Sequence, residues 1–143
     1  MPLIIKDLTK LYRNGIIALN NINLNIDSGM VGLLGPNGAG KSTLMKILTT
    51  VLQKTSGEAK VNDLDIIKDK DKIRSITGYL PQEFGLYSNI NAVEFLDYIG
   101  LFYNLSKKQQ RAERIAYLLD KVNLIDVKDK KLNTYSGGMK RRL

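Results

Sequence analysis

Apolar and polar residues alternate along two stretches near the N-terminus, residues 2–8 (PLIIKDL) and residues 18–26 (ALNNINLNI). In the second stretch Ile22, Leu24 and Ile26 recur at every second position, which is the period of a strand with one buried face. The turn-forming residues RNG and SGM follow the two stretches. The pattern therefore predicts two half-buried strands joined by a turn.

A continuous apolar run, VGLLG at 31–35, follows these strands and predicts a third strand that is buried on both faces. Beyond a glycine-rich stretch, residues 42–52 (STLMKILTTVL) space their aliphatic residues as one face of a helix. The later predicted elements are a turn and strand in 57–66, a polar helix in 68–76, a short strand in 77–82 and helices within 90–122. Ser106 is the predicted N-cap of the second of these helices. The order indicates an α/β core followed by a helical segment.

The composition limits the chemistry that this chain can perform. Its 143 residues suit one domain, and 43% hydrophobic with 25% charged residues is ordinary for a globular protein. The sequence contains neither cysteine nor histidine, which excludes disulfides, thiolate metal sites and a histidine general base. The N-terminus lacks the apolar region of a signal peptide, and the most apolar stretches are too short to span a bilayer. We therefore expect a cytosolic location.

The net charge of +8 raises the possibility of a nucleic-acid partner. However, residues 128–143 contain six basic residues and one acidic residue, which is +5 of that charge. The rest of the chain is close to balanced. A general phosphate-binding surface is therefore the weaker interpretation, and we expect no nucleic-acid partner.

The stretch GPNGAGKS at 35–42 matches the P-loop pattern G-x-x-x-x-G-K-[ST] between an apolar run and a predicted helix. Its glycines permit positive φ angles, so that successive N–H groups can surround an anion at a helix N-terminus. Lys41 would reach the β- and γ-phosphates as a catalytic group, Ser42 would complete a Mg²⁺ shell and Thr43 would bond an α-phosphate. The predicted nucleotide-binding residues here are Gly35, Pro36, Asn37, Gly38, Ala39, Gly40, Lys41, Ser42 and Thr43. The sequence has no N-K-x-D guanine reader, and DYIG at 97–100 lies within an apolar helical stripe.

Three further features resemble the ATP-binding cassette (ABC) ATPases. YSGGMK at 135–140 resembles their L-S-G-G-Q signature, although Tyr135 and Met139 depart from it. YLPQEFGLY at 79–87 resembles their Q-loop, and Tyr12 lies where they place an aromatic residue that stacks on adenine. The resemblance covers the whole chain, and SGGMKRRL is most similar to the ATPase subunits of ABC-2-type exporters.

The resemblance implies an α/β P-loop NTPase core with an N-terminal antiparallel β segment and a helical subdomain. Residues 1–82 would form the β subdomain and P-loop core, and residues 83–143 the helical subdomain with the signature. It implies ATP and Mg²⁺ as cofactors, with Tyr12 stacked on adenine and Ser42 and Gln82 at the metal. Gln82 would also be catalytic by holding the attacking water. Ser136, Gly137 and Gly138 would contact ATP bound by a second subunit.

The same resemblance implies three expectations about the working protein. The partners would be a second ABC ATPase subunit and a transmembrane permease, and the assembly would lie at the inner face of the cell membrane.

In the family, the signature helix is followed by a strand ending in Asp-Glu and then by a histidine, and residues 1–143 contain neither feature. We therefore expect this chain alone to bind ATP without hydrolysing it, and several aliphatic side chains of 31–35 and the following helix to be uncovered. A non-catalytic remnant and a soluble ABC protein acting on ribosomes or nucleic acid remain as alternatives.

Overall fold

The computed structural model describes residues 2–81, 85, 89–103 and 105–143. The chain forms two compact units that divide between Leu80 and Pro81. The division expected from the sequence, between residues 82 and 83, lies two residues further along. Each unit has its own cluster of buried apolar side chains.

The first unit is built on a four-stranded antiparallel sheet. Its strands, in the spatial order β2-β1-β3-β4, are β1 Leu3–Leu11, β2 Ile17–Ile26, β3 Ser56–Val61 and β4 Leu64–Asp65. The two strands that the alternating pattern predicts at the N-terminus are therefore confirmed. The predicted strand in 57–66 is a hairpin, because Asn62 and Asp63 both adopt positive φ angles (53° and 64°) and turn the chain between β3 and β4.

Two helices pack on this sheet. They are α1 Lys41–Leu48, which carries the predicted helical stripe, and α2 Lys70–Ile76. Leu44 and Ile47 of α1 and Ile73 of α2 meet aliphatic side chains of the sheet. The buried core of this unit consists of Ile5, Leu8, Leu19, Leu44, Ile47, Ala59, Val61, Ile66 and Ile73.

The prediction of a doubly buried strand over residues 31–35 is wrong. These residues are irregular, and no strand among the described residues pairs with them. No ladder hydrogen bonds form along this segment among the described residues, and the Gly35 carbonyl instead accepts from the Lys41 ammonium. Met30 is fully exposed and Leu34 is 93% exposed. The expectation of uncovered aliphatic side chains is confirmed for residues 31–35, whereas on α1 Met45 is exposed but Leu44 and Ile47 are buried.

The short strand predicted over residues 77–82 is also wrong in the part that the structure describes. Residues 77–81 form no strand, and Leu80 is exposed. Pro81 has no N–H to donate to a ladder, which disfavours a strand at this position. Gln82 lies outside the described residues.

The second unit is helical. It contains α3 Ala92–Phe102, α4 Lys108–Lys121 and α5 Gly137–Arg142, with 3₁₀ turns at Ile125–Val127 and Leu132–Thr134. Asn91 starts α3 with a capping box, because its side chain accepts from the Glu94 N–H while the Glu94 carboxylate accepts from the Asn91 N–H. The buried side chains are Ala92, Ile115, Leu119, Leu124, Leu132 and Tyr135.

The predicted N-cap Ser106 is wrong. Helix α4 begins at Lys108, its N-cap is Lys107, and no side chain caps it among the described residues. The Ser106 carbonyl instead accepts a hydrogen bond from the Arg111 guanidinium at 2.9 Å. The Arg111 side chain of α4 therefore binds the Ser106 backbone, whereas the sequence predicted that the Ser106 hydroxyl would cap the helix.

Arg111 is only 7% exposed and ties α4 to α3. Its Nε donates to Asp97 Oδ1 at 2.7 Å, and its Nη1 donates to the carbonyls of Leu105 and Ser106. The hydrogen bond from Arg111 is the main reason that the pKa of Asp97 is lowered from its ordinary value. Gly100 leaves the space that Arg111 uses, because a Cβ there would lie 2.9 Å from Arg111 Cδ. The sequence DYIG thus lies within α3, as the apolar stripe predicts, but outside the buried cluster of this unit, since Tyr98 is 49% exposed.

Replacing Leu34 and Leu44 by alanine should have very different effects on stability. Leu44 is 7% exposed, so Leu44→Ala should lower the free energy of unfolding by about 2–4 kcal/mol. The same change at Leu34 should cost less than about 0.5 kcal/mol, because that side chain contacts mainly solvent. Urea unfolding of the two variants measures the difference, and equal losses would show that residues 31–35 are packed.

Removing the guanidinium with Arg111→Met should lower the stability of the helical unit by about 2 kcal/mol, because three hydrogen-bonded acceptors lose their donor. Arg114→Met is the matched control, since Arg114 is exposed and lies over the Tyr117 ring.

The stability of this unit should also depend on pH through Asp97. Because the folded pKa of Asp97 is lowered, the stabilisation that its carboxylate provides is fully present above its ordinary value of 3.8 and is lost as the pH falls through the folded pKa. Wild type and Asp97→Asn should therefore differ in unfolding free energy at pH 6 and converge only when the pH falls below the lowered pKa of Asp97.

Candidate nucleotide-binding site

The glycine-rich loop turns sharply into α1. Gly40 is the N-cap residue and adopts a left-handed conformation with φ 86°, and its carbonyl accepts the first helical hydrogen bond from the Leu44 N–H at 2.8 Å. No side chain of the described residues caps this helix start, and its first turn contains no acidic residue. The N–H groups at the start of α1 are therefore available to an anion, and the helix dipole favours one there.

Gly40 is required for two independent reasons. Its φ angle lies in the region that side chains disfavour. A Cβ at this position would also collide with the carbonyl oxygen of Ala18 in β2 and lie 2.9 Å from Leu19 Cδ2. The loop thus rests directly on the backbone of the sheet.

Lys41 folds back over the loop. Its Nζ donates to the carbonyl oxygens of Gly35 at 2.7 Å and Pro36 at 2.6 Å. This places an ammonium group at the loop that the sequence predicts to hold phosphates. A cavity of about 180 Å³ beside the loop is lined mainly by aliphatic side chains, among them Leu19 and Leu44, and also by Gly40 and Lys41.

Tyr12 lies next to the same helix start. Its hydroxyl and the Thr43 hydroxyl are 3.3 Å apart, within hydrogen-bonding distance. Tyr12 and Thr43 are both half-buried, whereas Ser42 is exposed. The first unit therefore brings together Tyr12 and the predicted P-loop residues Gly35 to Thr43.

The predicted Mg²⁺ site contains one described ligand, the Ser42 hydroxyl. Among residues 2–81, 85, 89–103 and 105–143, no group of three or more acidic side chains could hold a metal ion. Gln82, the other predicted ligand, lies outside the described residues.

The signature residues lie in the second unit. Ser136 is the N-cap of α5, and its Oγ accepts from the Met139 N–H at 3.2 Å. Tyr135, which departs from the signature pattern, is buried, and its hydroxyl donates to the Val127 carbonyl at 2.8 Å. Burial raises the pKa of Tyr135. The tyrosine therefore anchors the residue before the Ser-Gly-Gly stretch.

Comparison with known proteins agrees with this arrangement. The family model described as "ABC transporter" matches residues 19–143. The chain belongs to the ABC transporter family. The predicted resemblance and the P-loop NTPase fold are confirmed, and the structure covers part of the complete ABC ATPase domain.

Two bacterial relatives of this ABC protein illustrate the match. The daunorubicin/doxorubicin resistance ATP-binding protein DrrA of Streptomyces peucetius is 39% identical over 137 residues, which is 95% of this chain and 41% of that protein. The uncharacterized ABC transporter ATP-binding protein YxlF of Bacillus subtilis is 39% identical over 140 residues, 97% of this chain and 45% of that protein. The chain thus spans less than half the length of either relative.

Solved structures give the same result. A dimeric post-hydrolysis state of the ATP-binding cassette MJ0796, bound to ADP and Pi, superposes with a TM-score of 0.79 and 29% identity. The match covers 99% of this chain and 68% of that one. An ATP-binding subunit of an ABC transporter superposes with a TM-score of 0.76 and 27% identity, covering 99% of this chain and 59% of that one.

Two residues near the site were missed by sequence reasoning. Lys10 places its Nζ 5.3 Å from the centre of the Tyr12 ring. The sequence feature that could have indicated this contact is the spacing of two between Lys10 and Tyr12, because residues i and i+2 of a strand point to the same side. Thr55 bonds both backbone groups of Leu11 and thereby fixes the end of β1, and only the pairing of β1 with β3 reveals this contact.

Gly40→Ala should destabilise this ABC protein by about 3 kcal/mol, because it combines a disfavoured φ with a collision against the Ala18 carbonyl. Gly38→Ala is the matched control. Gly38 has nearly the same φ of 85°, but a Cβ at this position would meet open space, so only about 1 kcal/mol is expected. Thermal unfolding compares the two, and similar shifts would contradict the close contact with β2.

Proposed function

We propose that this chain is the ATP-binding part of an exporter-type ABC ATPase, which binds Mg-ATP and works as a dimer on a membrane permease. The observation that carries the proposal is the uncapped start of α1 with the Lys41 ammonium over the preceding loop. The names of the relatives, which are ATP-binding proteins of drug resistance and ABC transport, support the exporter assignment.

Phosphate binding would use groups that already converge on the loop. Backbone N–H groups at the start of α1 would donate to phosphate oxygens, and Lys41 would exchange its two carbonyl acceptors for the β- and γ-phosphates. Ser42 is exposed and would ligate Mg²⁺, which neutralises phosphate charge when bound. Thr43 would contact the α-phosphate, beside the Tyr12 ring that would stack on adenine.

Dimerisation would bring in the second unit. Ser136, Gly137 and Gly138 at the start of α5 would approach ATP held by a second ABC ATPase subunit. Lys140, Arg141 and Arg142 place positive charge in the last turn of the same helix. Gln82 would act at the metal and the attacking water, and hydrolysis is proposed for the whole protein.

The proposed location is the cytoplasmic side of the membrane, in a peripheral position beside the permease. Among the described residues, none of the helices combines the length and apolar character that crossing a membrane requires. In this proposal the permease partner holds the protein at the membrane.

Lys41→Ala should weaken Mg-ATP binding by the full polypeptide about 10–100-fold, because charge-assisted hydrogen bonds to phosphate are lost. Lys46→Ala removes the same charge from an exposed position in the next turn of α1 and serves as the control. Isothermal titration with Mg-ATP should show a large loss only for the first variant. Equal affinities for both variants, or no ATP binding by the wild type, would overturn the proposal.

A further inference from the structure

The side chains of Lys10 and Tyr12 project to the same side at the end of β1. The Lys10 ammonium lies over the Tyr12 ring, 5.3 Å from its centre, and both residues are half-buried. At this distance the cation is attracted by the negative face of the ring. One face of the ring is thus occupied by a side chain of the protein itself.

The backbone that carries these two side chains is held on both sides. The Leu11 N–H donates to Thr55 Oγ1 at 2.9 Å, and the same hydroxyl donates to the Leu11 carbonyl at 3.2 Å. On the other side, the Tyr12 N–H donates to the Ile16 carbonyl at 2.9 Å. The backbone that carries the ring is therefore held to the sheet before any ligand binds.

The far edge of the ring reaches the phosphate loop. The Tyr12 hydroxyl lies 3.3 Å from Thr43 Oγ1, in the first turn of α1 and two residues after Lys41. The ring is consequently defined at two points, by Thr43 at its edge and by Lys10 at its face. Because both contacts already restrict the rotation of the ring, less conformational entropy is lost when a flat ligand stacks on it.

We propose that Lys10 is a positioning residue for nucleobase recognition, which holds Tyr12 from one face so that a planar base stacks on the opposite face. The inference rests on the proposed function, since the base must belong to a nucleotide whose phosphates lie in the P-loop. Lys10 acts through the ring and not through the phosphates. Its effect should therefore depend on the presence of both the base and Tyr12.

The first experiment titrates the full polypeptide with Mg-ATP and with Mg-tripolyphosphate, which has the phosphates but no base. Lys10→Met should weaken ATP binding about 3-fold, which corresponds to the energy of a partly exposed cation–π contact, and leave tripolyphosphate binding unchanged. Lys10→Arg should restore ATP affinity, because arginine keeps the cation over the ring. Lys6→Met removes the same charge from an exposed position on β1 and should change neither affinity.

The second experiment repeats Lys10→Met in a Tyr12→Leu background. If Lys10 acts through the ring, the variant should cause no further loss of ATP affinity there. A loss that persists would mean that Lys10 contacts the nucleotide directly, and an equal loss for tripolyphosphate would mean a simple charge effect. Either result overturns the proposal, as does unchanged ATP binding by Lys10→Met.

The outcomes also separate this inference from the proposed function. ATP binding that depends on Lys41 but not on Lys10 would leave the ATP-binding assignment standing and remove only the role of Lys10. A wild-type chain that binds neither ATP nor tripolyphosphate would overturn both. Circular dichroism of each variant confirms that the affinities are compared between folded proteins.

Discussion

The contact of Gly40 with the backbone of β2 is the constraint on which the nucleotide site depends. The loop can start α1 beside the sheet only because no Cβ stands between Gly40 and the Ala18 carbonyl. That close approach places the helix start, the Lys41 ammonium and the Thr43 hydroxyl in one small region. Tyr12 joins them because β1 pairs with β2 and ends beside the same helix. The pairing of β1 with β2 and the lack of a side chain at Gly40 thus bring the residues of the site together.

The helical unit uses a different device to fix its geometry. Arg111 replaces an ordinary cap with a buried guanidinium that is shared by a carboxylate and two carbonyls. The methylene groups of the Arg111 side chain also fill the space next to Gly100. The turn between α3 and α4 is therefore held by charge and hydrogen bonding as well as by apolar packing.

Much of this arrangement could be predicted from local patterns. The alternation in residues 2–8 and 18–26 identified β1 and β2, because each of these strands buries one face against its own unit. The P-loop pattern identified the residues around Lys41, since its chemistry is encoded in consecutive positions. The strand at 31–35 was wrong because apolar composition reports a preference for burial and not the presence of a pairing partner. Ser106 is not the cap because α4 begins at Lys108, one residue later than the prediction requires, while the Ser106 carbonyl accepts from Arg111. The contact of Thr55 with Leu11 was missed because it depends on the pairing of β1 with β3, whereas the contact of Lys10 with Tyr12 could have been inferred from their spacing of two.

The two carbonyl contacts of Lys41 have a consequence for the thermodynamics of ligand binding. The ammonium has already given up part of its hydration to the Gly35 and Pro36 oxygens. Capture of a phosphate is then an exchange of one set of charge-assisted hydrogen bonds for another, so the gross interaction energies largely cancel. The observed enthalpy should consequently be small compared with the number of contacts formed, and released water and counterions should contribute much of the driving force. The Gly35 and Pro36 carbonyls thus occupy the ammonium in the way that phosphate oxygens would, and they hold it over the loop.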